Sequence, residues 1–271
     1  MDINKLKDHA LNVRRNIVQM VYDAQSGHPG GSLGCTDILT YLYFEEMDVN
    51  KENVNGIDRD RFVLSKGHCS PALYAVLHEA GLLDDDLKTF RQINSKLQGH
   101  PNMNYVAGVD MSTGSLGQGV STAVGMALAN RLDKNGHRVY ALVGDGESEE
   151  GIVWEALMAA CHYKLDNLCI IFDVNHLQID GNVQDVIGPL PLKEKAEAFG
   201  AKAIECDGHD YESLAAAFKE ARETKGMPTV IVANTVKGKG VSFMENNYAW
   251  HGSAPNEEQY NIAMEDLKEV R

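Results

Sequence analysis

Five short runs of β-branched and aliphatic residues punctuate the chain, at residues 61–65, 138–143, 167–173, 201–206 and 228–233. Each is almost wholly apolar rather than alternating, the pattern of a strand buried on both faces. Between them the spacing predicts helices over residues 4–24, 117–132, 151–163 and 211–224. In the first, Leu6, Leu11, Ile17, Met20 and Val21 recur at roughly helical intervals. Asp210 is placed to cap the helix that follows it. Asn256 with Gln259 reads as a capping box opening a last amphipathic helix. Strands alternating with helices predict an α/β fold: a doubly wound, mostly parallel sheet flanked by helices. With no repeat, low-complexity tract or long linker, residues 1–271 read as a single domain. Residues 25–34 and 242–256 read as functional loops.

Composition narrows the class little. Hydrophobic residues make up 44% and charged residues 24% of the 271, an ordinary globular balance. The formal net charge of −14 argues against a broad surface for nucleic acid or anionic membrane, which are themselves negative. Cys35, Cys69, Cys161, Cys169 and Cys206 form no CxxC pair and leave one over, as expected of reduced thiols in a cytoplasmic protein. No apolar run approaches the roughly 18 residues of a membrane span, and the opening residues lack a signal core.

Ligands of open parallel sheets sit beyond the carboxyl ends of the strands. There, directly after the second run, stands Gly144-Asp145-Gly146-Glu147. An aspartate in that turn offers carboxylate oxygen to a hard cation, and its glycines let backbone N–H groups approach a phosphate. Alone, the tripeptide is most often a plain strand-to-helix turn. Thirty positions on, however, Asp173-Val-Asn175-His-Leu177 closes the next run, placing Asp145 and Asn175 at the tips of adjacent strands. A few protein oxygens with diphosphate oxygens and water suit the octahedron of Mg²⁺.

This pair resembles the thiamine-diphosphate motif, which opens Gly-Asp-Gly and closes on asparagine about thirty residues later. The general motif often ends in two asparagines; here His176 follows Asn175, as in transketolases, which add a carbonyl two residues on, at Leu177. Ser26-Gly-His28-Pro, Ser65-Lys-Gly-His68, Gly99-His100-Pro, Gly114-Ser-Leu116-Gly-Gln-Gly119 and Trp250-His251-Gly also resemble transketolase segments, in transketolase order, over roughly residues 10–255. The resemblance implies metal ligation (Mg²⁺, or Ca²⁺ or Mn²⁺) by Asp145, Asn175 and the Leu177 carbonyl. It implies cofactor contacts from His68, Gly114, Leu116, Gly146, Glu150, Asn175 and His251, with His28, His100 and His251 lining a sugar channel. It places Glu150, and less directly Glu155, at a subunit interface, supporting the glutamate that activates the cofactor. The remaining histidines, His9, His78, His137, His162 and His209, read as surface or satisfied core residues. Lys237-Gly-Lys-Gly240 reads by default as a solvated basic turn, with a mobile lid as the alternative.

In transketolases the activating glutamate and the residues gripping the sugar phosphate belong to a second domain. The resemblance therefore implies the amino-terminal subunit of a split enzyme, in an α2β2 heterotetramer with a carboxyl-terminal partner that supplies both. The alternatives are a related split transketolase for unusual pentoses, a deoxyxylulose-phosphate-synthase-like enzyme, and a non-catalytic binder of the same cofactor. A nicotinamide-binding Rossmann protein is disfavoured because no GxGxxG follows the first strand.

Overall fold

The computed structural model describes residues 1–268. Its strands are β1 (Arg61–Leu64), β2 (Val139–Gly144), β3 (Leu168–Val174), β4 (Leu177–Gln178), β5 (Gly181–Asn182), β6 (Lys202–Asp207) and β7 (Thr229–Asn234). Its helices are α1 (Ile3–Ala24), α2 (Pro29–Gly34), α3 (Thr36–Tyr41), α4 (Ser70–Glu79), α5 (Gln118–Asp133), α6 (Gly151–His162), α7 (Val183–Val186), α8 (Leu192–Ala198), α9 (Tyr211–Glu223) and α10 (Glu257–Asp266). Five strands form one wholly parallel sheet in the order β1-β2-β3-β7-β6, and β4 with β5 makes a small antiparallel hairpin beside it. The single-domain reading takes in residues 269–271, which lie outside the described residues.

The sheet is buried on both faces because its strands carry apolar side chains at almost every position. Tyr140, Leu142, Cys169, Ile171 and Ile231 face the layer formed with α1, α3, α4 and α9. Their neighbours Val139, Ala141, Val143, Ile170, Phe172, Val230 and Val232 face α5, α6 and α8. The period of two thus sorts residues between two cores, and the absence of polar alternation records that neither face meets water. Asp210 accepts from Glu212 N and Ser213 N, and Asn256 and Gln259 close a reciprocal capping box, both as the sequence predicts. Residues 25–34 depart from expectation. They are not all loop, because Pro29 opens the fully buried helix α2.

Register decides what lies at the sheet's carboxyl edge. Leu64 pairs with Leu142, Gly144 with Asp173 and Val174 with Asn234, so the chain leaves β1, β2, β3 and β7 side by side. Ser65-Lys66, Asp145, Asn175 and Thr235-Lys237 therefore emerge on one rim.

Candidate cofactor site

That rim encloses a cavity of about 240 Å³, lined by residues from separate segments that include His28, His68, Leu116, Asp145, Asn175 and His251. A larger cleft of about 490 Å³ lies between α1, the turn at 239–242 and α10. There Arg14 pairs with Asp37 and Lys239 with Glu245, whereas the smaller cavity holds the residues singled out by the sequence motifs.

Glu147 organises the floor. Its carboxylate accepts from Ser65 Oγ at 2.6 Å, Gly117 N at 2.7 Å and Gly144 N at 3.0 Å, tying together the ends of β1 and β2 and the start of α5. Two glycines are required by this packing. Gly117 has φ +81°, and a Cβ on Gly67 would stand 2.6 Å from Thr113 Oγ1 and 2.9 Å from Gly114 N. The motifs around His68 and Gly114 are therefore pressed against each other. Gly114 lies beside the His100 ring at the rim, while Leu116 reaches the cavity wall.

Asp145 is 2% exposed. Its two oxygens accept from Gly146 N at 2.8 Å and His176 N at 2.5 Å, and among the described residues no cationic side chain bonds it directly. Burial, then the neighbouring Asp173 carboxylate, pushes its pKa up to about 6. Asp173 is itself engaged by Lys66 and Thr235. Asn175 Oδ1 accepts from Leu177 N at 3.2 Å. Among the described residues no group of three His, Cys, Asp or Glu side chains stands close enough to hold a metal. The donors are instead one carboxylate, one amide oxygen and one carbonyl, a set that suits a hard oxygen-seeking cation completed by other oxygens. One positive group is already drawn to it: Lys237 Nζ donates to Leu177 O at 3.2 Å. The residues present thus fit a divalent cation.

Lys237 corrects the solvated-turn expectation. It is 2% exposed, its ammonium also stands 3.1 Å from His251 Nδ1, and burial followed by Lys66 lowers its pKa. Lys66, Glu147, Gln178 and Ile179 are further lining residues that sequence reasoning did not single out. Lys66 and Glu147 sat inside recognised motifs, and adjacency to His68 and Asp145 was the available signal.

His28, His68, His100 and His251 converge. His28 lies 5.3 Å from His68, 6.1 Å from His100 and 5.5 Å from His251, ring centre to ring centre. Burial, then His68, lowers His28 to about 4, and burial, then Lys237, lowers His251 to about 3; burial also lowers His100. These three are neutral imidazoles at pH 7, each with one N–H donor and one acceptor. The other histidines serve the scaffold: His9 bonds Glu79, His137 bonds Asp58, His78 contacts Leu83 O, His162 packs against Tyr163, and His209 bonds Asp37. Glu150, at the start of α6, and Glu155 are exposed and lie outside the cavity lining.

The parallel sheet thus gathers a carboxylate, an amide and four imidazoles at its carboxyl edge. The family model of the transketolase thiamine diphosphate binding domain matches residues 6–268. The chain is 40% identical over 99% of its length to an apulose-4-phosphate transketolase subunit from Phocaeicola vulgatus, covering 96% of that protein. It is 41% identical over 96% of its length to a 6-deoxy-6-sulfo-D-fructose transketolase subunit from a Clostridium strain, covering 95% of it. Transketolase from Campylobacter jejuni superposes with a TM-score of 0.92 and 38% identity over 98% of this chain, and that from Leishmania mexicana with 0.90 and 37% over 97%. Against those two solved chains this one spans only 43% and 41% of the length. The chain belongs to the transketolase family, as its thiamine-diphosphate-binding part. Among the described residues no helix is long and apolar enough to cross a membrane.

Proposed function

We propose that this chain is the cofactor-binding subunit of a split transketolase, moving a two-carbon ketol unit from a ketose phosphate to an aldose phosphate together with a partner chain. The observation that carries the reading is the meeting of Asp145, Asn175 and Leu177 O with His28, His68, His100 and His251 around one cavity. Asp145, Asn175 and the Leu177 carbonyl would hold Mg²⁺, or Ca²⁺ or Mn²⁺ in its place. His68, His251 and Lys237 would hold the diphosphate, with Gly146 lacking a side chain to obstruct it and Gly114 and Leu116 against the remaining ring system. Bound thiamine diphosphate supplies the thiazolium carbon that attacks a ketose carbonyl and the electron sink for the transfer. The chain's own contribution is binding and proton handling. Lys237 donates to His251 Nδ1, which leaves the proton of that neutral ring on Nε2. The neutral His28 and His100 rings accept from or donate to sugar hydroxyls and take up or release protons without a net charge at rest.

The partner, a carboxyl-terminal transketolase subunit in an α2β2 assembly, would provide the activating glutamate and the sugar-phosphate grip, with Glu150 facing it. Support comes from length: the chain nearly matches relatives named as subunits and is about two-fifths of complete transketolases. We place the assembly in the cytoplasm. The relatives covered almost end to end are named for apulose 4-phosphate and for 6-deoxy-6-sulfo-D-fructose, so these sugars are the donors worth testing second.

The test is a two-carbon transfer assay with thiamine diphosphate and Mg²⁺, using this chain alone and mixed with the candidate partner. Transfer in the mixture alone supports the split enzyme. Transfer by the single chain overturns the assignment of the activating glutamate to a partner, and pyruvate decarboxylation by the mixture would move the reading to the synthase class.

A further inference from the structure

His209 lies outside the cavity lining, in the loop between β6 and α9, yet it touches the turn that carries Lys237. Asp207 at the end of β6 stands opposite Asn234 at the end of β7, and continuing that parallel register by two residues sets His209 beside Val236. Gly208 allows the approach: its N donates to Asn234 O at 2.8 Å, and a Cβ on it would stand 2.6 Å from Thr235 Cγ2. Val236 N then donates to His209 Nε2 at 2.8 Å. The amides on either side find carbonyls, Thr235 N at Val174 O (2.9 Å) and Gly238 N at Gly30 O (2.8 Å). Between them Val236 N is held by a side chain, and the next residue is the lysine whose ammonium meets Leu177 O and His251 Nδ1.

The far edge of the ring is fixed as well. His209 Nδ1 stands 2.7 Å from Asp37 Oδ2, and Arg14 donates to both oxygens of that carboxylate, at 3.1 Å to Oδ1 and 2.6 Å to Oδ2. Tyr211 OH donates to Oδ1 at 3.1 Å. A carboxylate gripped by a guanidinium accepts and does not donate, so the ring proton belongs on Nδ1. That leaves Nε2 as the acceptor, which is the tautomer that the Val236 N–H requires from the other side. Two neighbours on separate elements thus demand the same state of one ring. Through it, α1, α3 and α9 brace the turn after β7.

We propose that His209 is a positioning residue for Lys237: clamped on Asp37 with its proton on Nδ1, it holds the Val236 amide through Nε2 and so aims the lysine that grips the cofactor's diphosphate. The role rests on the cofactor site proposed above. His209 touches neither cofactor nor substrate, and acts through one backbone hydrogen bond. Without that bond the dihedrals of Val236 are no longer held from this side, and the Lys237 ammonium spends less of its time between Leu177 O and His251.

Two substitutions separate the two edges of the ring. The amide of His209→Asn overlays Nδ1, keeping a donor for Asp37 while leaving Val236 N without its acceptor. That of His209→Gln overlays Nε2 and does the reverse. Thiamine diphosphate binding in the presence of Mg²⁺ is measured by calorimetry on each chain assembled with its partner. Expected is at least about tenfold weaker binding for His209→Asn and a change within about threefold for His209→Gln, although His209→Gln gives up the bond to Asp37. In a Lys237→Met background His209→Asn should add less than about twofold, because its effect passes through that ammonium. Nitrogen-15 NMR of the full chain should show the His209 ring protonated on Nδ1 and bare on Nε2. Unaltered binding in His209→Asn, an equal loss in both variants, an undiminished loss on top of Lys237→Met, or a proton on Nε2 each overturns the positioning while leaving the cofactor site in place. Failure of the parent assembly to bind the cofactor overturns the site, and this role with it.

Discussion

Replacing Asp145 by asparagine should shift the stability of the metal-free chain by an amount that depends on pH. Burial and Asp173 raise this carboxyl from 3.8 to about 6. A difference of about two units corresponds to about 3 kcal/mol between the protonated and ionised forms in the folded chain. The folded chain binds this proton more tightly than the unfolded one. The stabilisation is therefore complete below about pH 4 and is lost as pH rises through about 6. At pH 8 the parent carries the full burden of a buried, uncompensated carboxylate; asparagine does not. The substitution has its own cost, about 1–3 kcal/mol, because its amide NH₂ must oppose one of the two N–H donors at Gly146 and His176. That cost is nearly independent of pH, so the difference between variant and parent isolates the titration. Urea unfolding in the presence of a chelator should show the variant improving relative to the parent by about 1–2 kcal/mol between pH 5 and pH 8. Saturating Mg²⁺ at pH 8 should stabilise the parent and leave the variant unmoved. A variant-minus-parent difference that stays constant across that range would refute the argument that Asp145 is held charged and uncompensated for a cation.

Lys237→Met removes an ammonium whose burial lowers its pKa, so we expect little loss of stability but at least about tenfold weaker thiamine diphosphate binding by calorimetry of the assembled enzyme. Asp37→Asn breaks a buried cluster in which Arg14 Nη2 donates at 2.6 Å, with His209 and Tyr211 also bonded. It should cost about 3–5 kcal/mol near pH 7. Burial alone would raise the Asp37 carboxyl, but Arg14 and His209 hold it well below the usual range. The stabilisation is therefore present above about pH 4, and the penalty should shrink only in stronger acid, as urea titrations can show. Glu150→Gln, at an exposed position, should leave the stability of this chain within about 0.5 kcal/mol while lowering transfer activity in the mixture with the partner. Equal activity of the two mixtures would remove Glu150 from the mechanism.

The parallel sheet was legible because its strands are almost uniformly apolar, and Asp145 and Asn175 were legible because β2 and β3 are neighbours whose ends carry them. Lys237 was not. A lysine between a strand and a glycine is ordinarily solvated, and only the insertion of β7 between β3 and β6 brings it against Leu177 and His251. The same holds for α2. Glycines at 30, 31 and 34 argue against a helix locally, yet the segment is fully buried between β7's following turn and Cys69, where side chains do not fit: a Cβ on Gly34 would meet Val236 O at 3.0 Å. Tertiary crowding there overrides local propensity.

The acid groups that line this chain's cavity are already engaged. Glutamate enters the cavity lining at one place among the described residues, Glu147. Its oxygens accept three hydrogen bonds, from Ser65, Gly117 and Gly144, and those bonds join the segments that build the floor. Using it to exchange protons with a cofactor ring would release Gly117 N and Gly144 N into a buried space, at about 1–3 kcal/mol each. Asp145 accepts from two backbone donors, and Asp173 is engaged by Lys66 and Thr235. These carboxylates are thus held by the architecture, and His28 and His251, whose pKa values are lowered by burial, are too weakly basic to substitute for a carboxylate that must stay charged against a protonated ring. The proposed glutamate from a partner chain would leave all of these bonds intact.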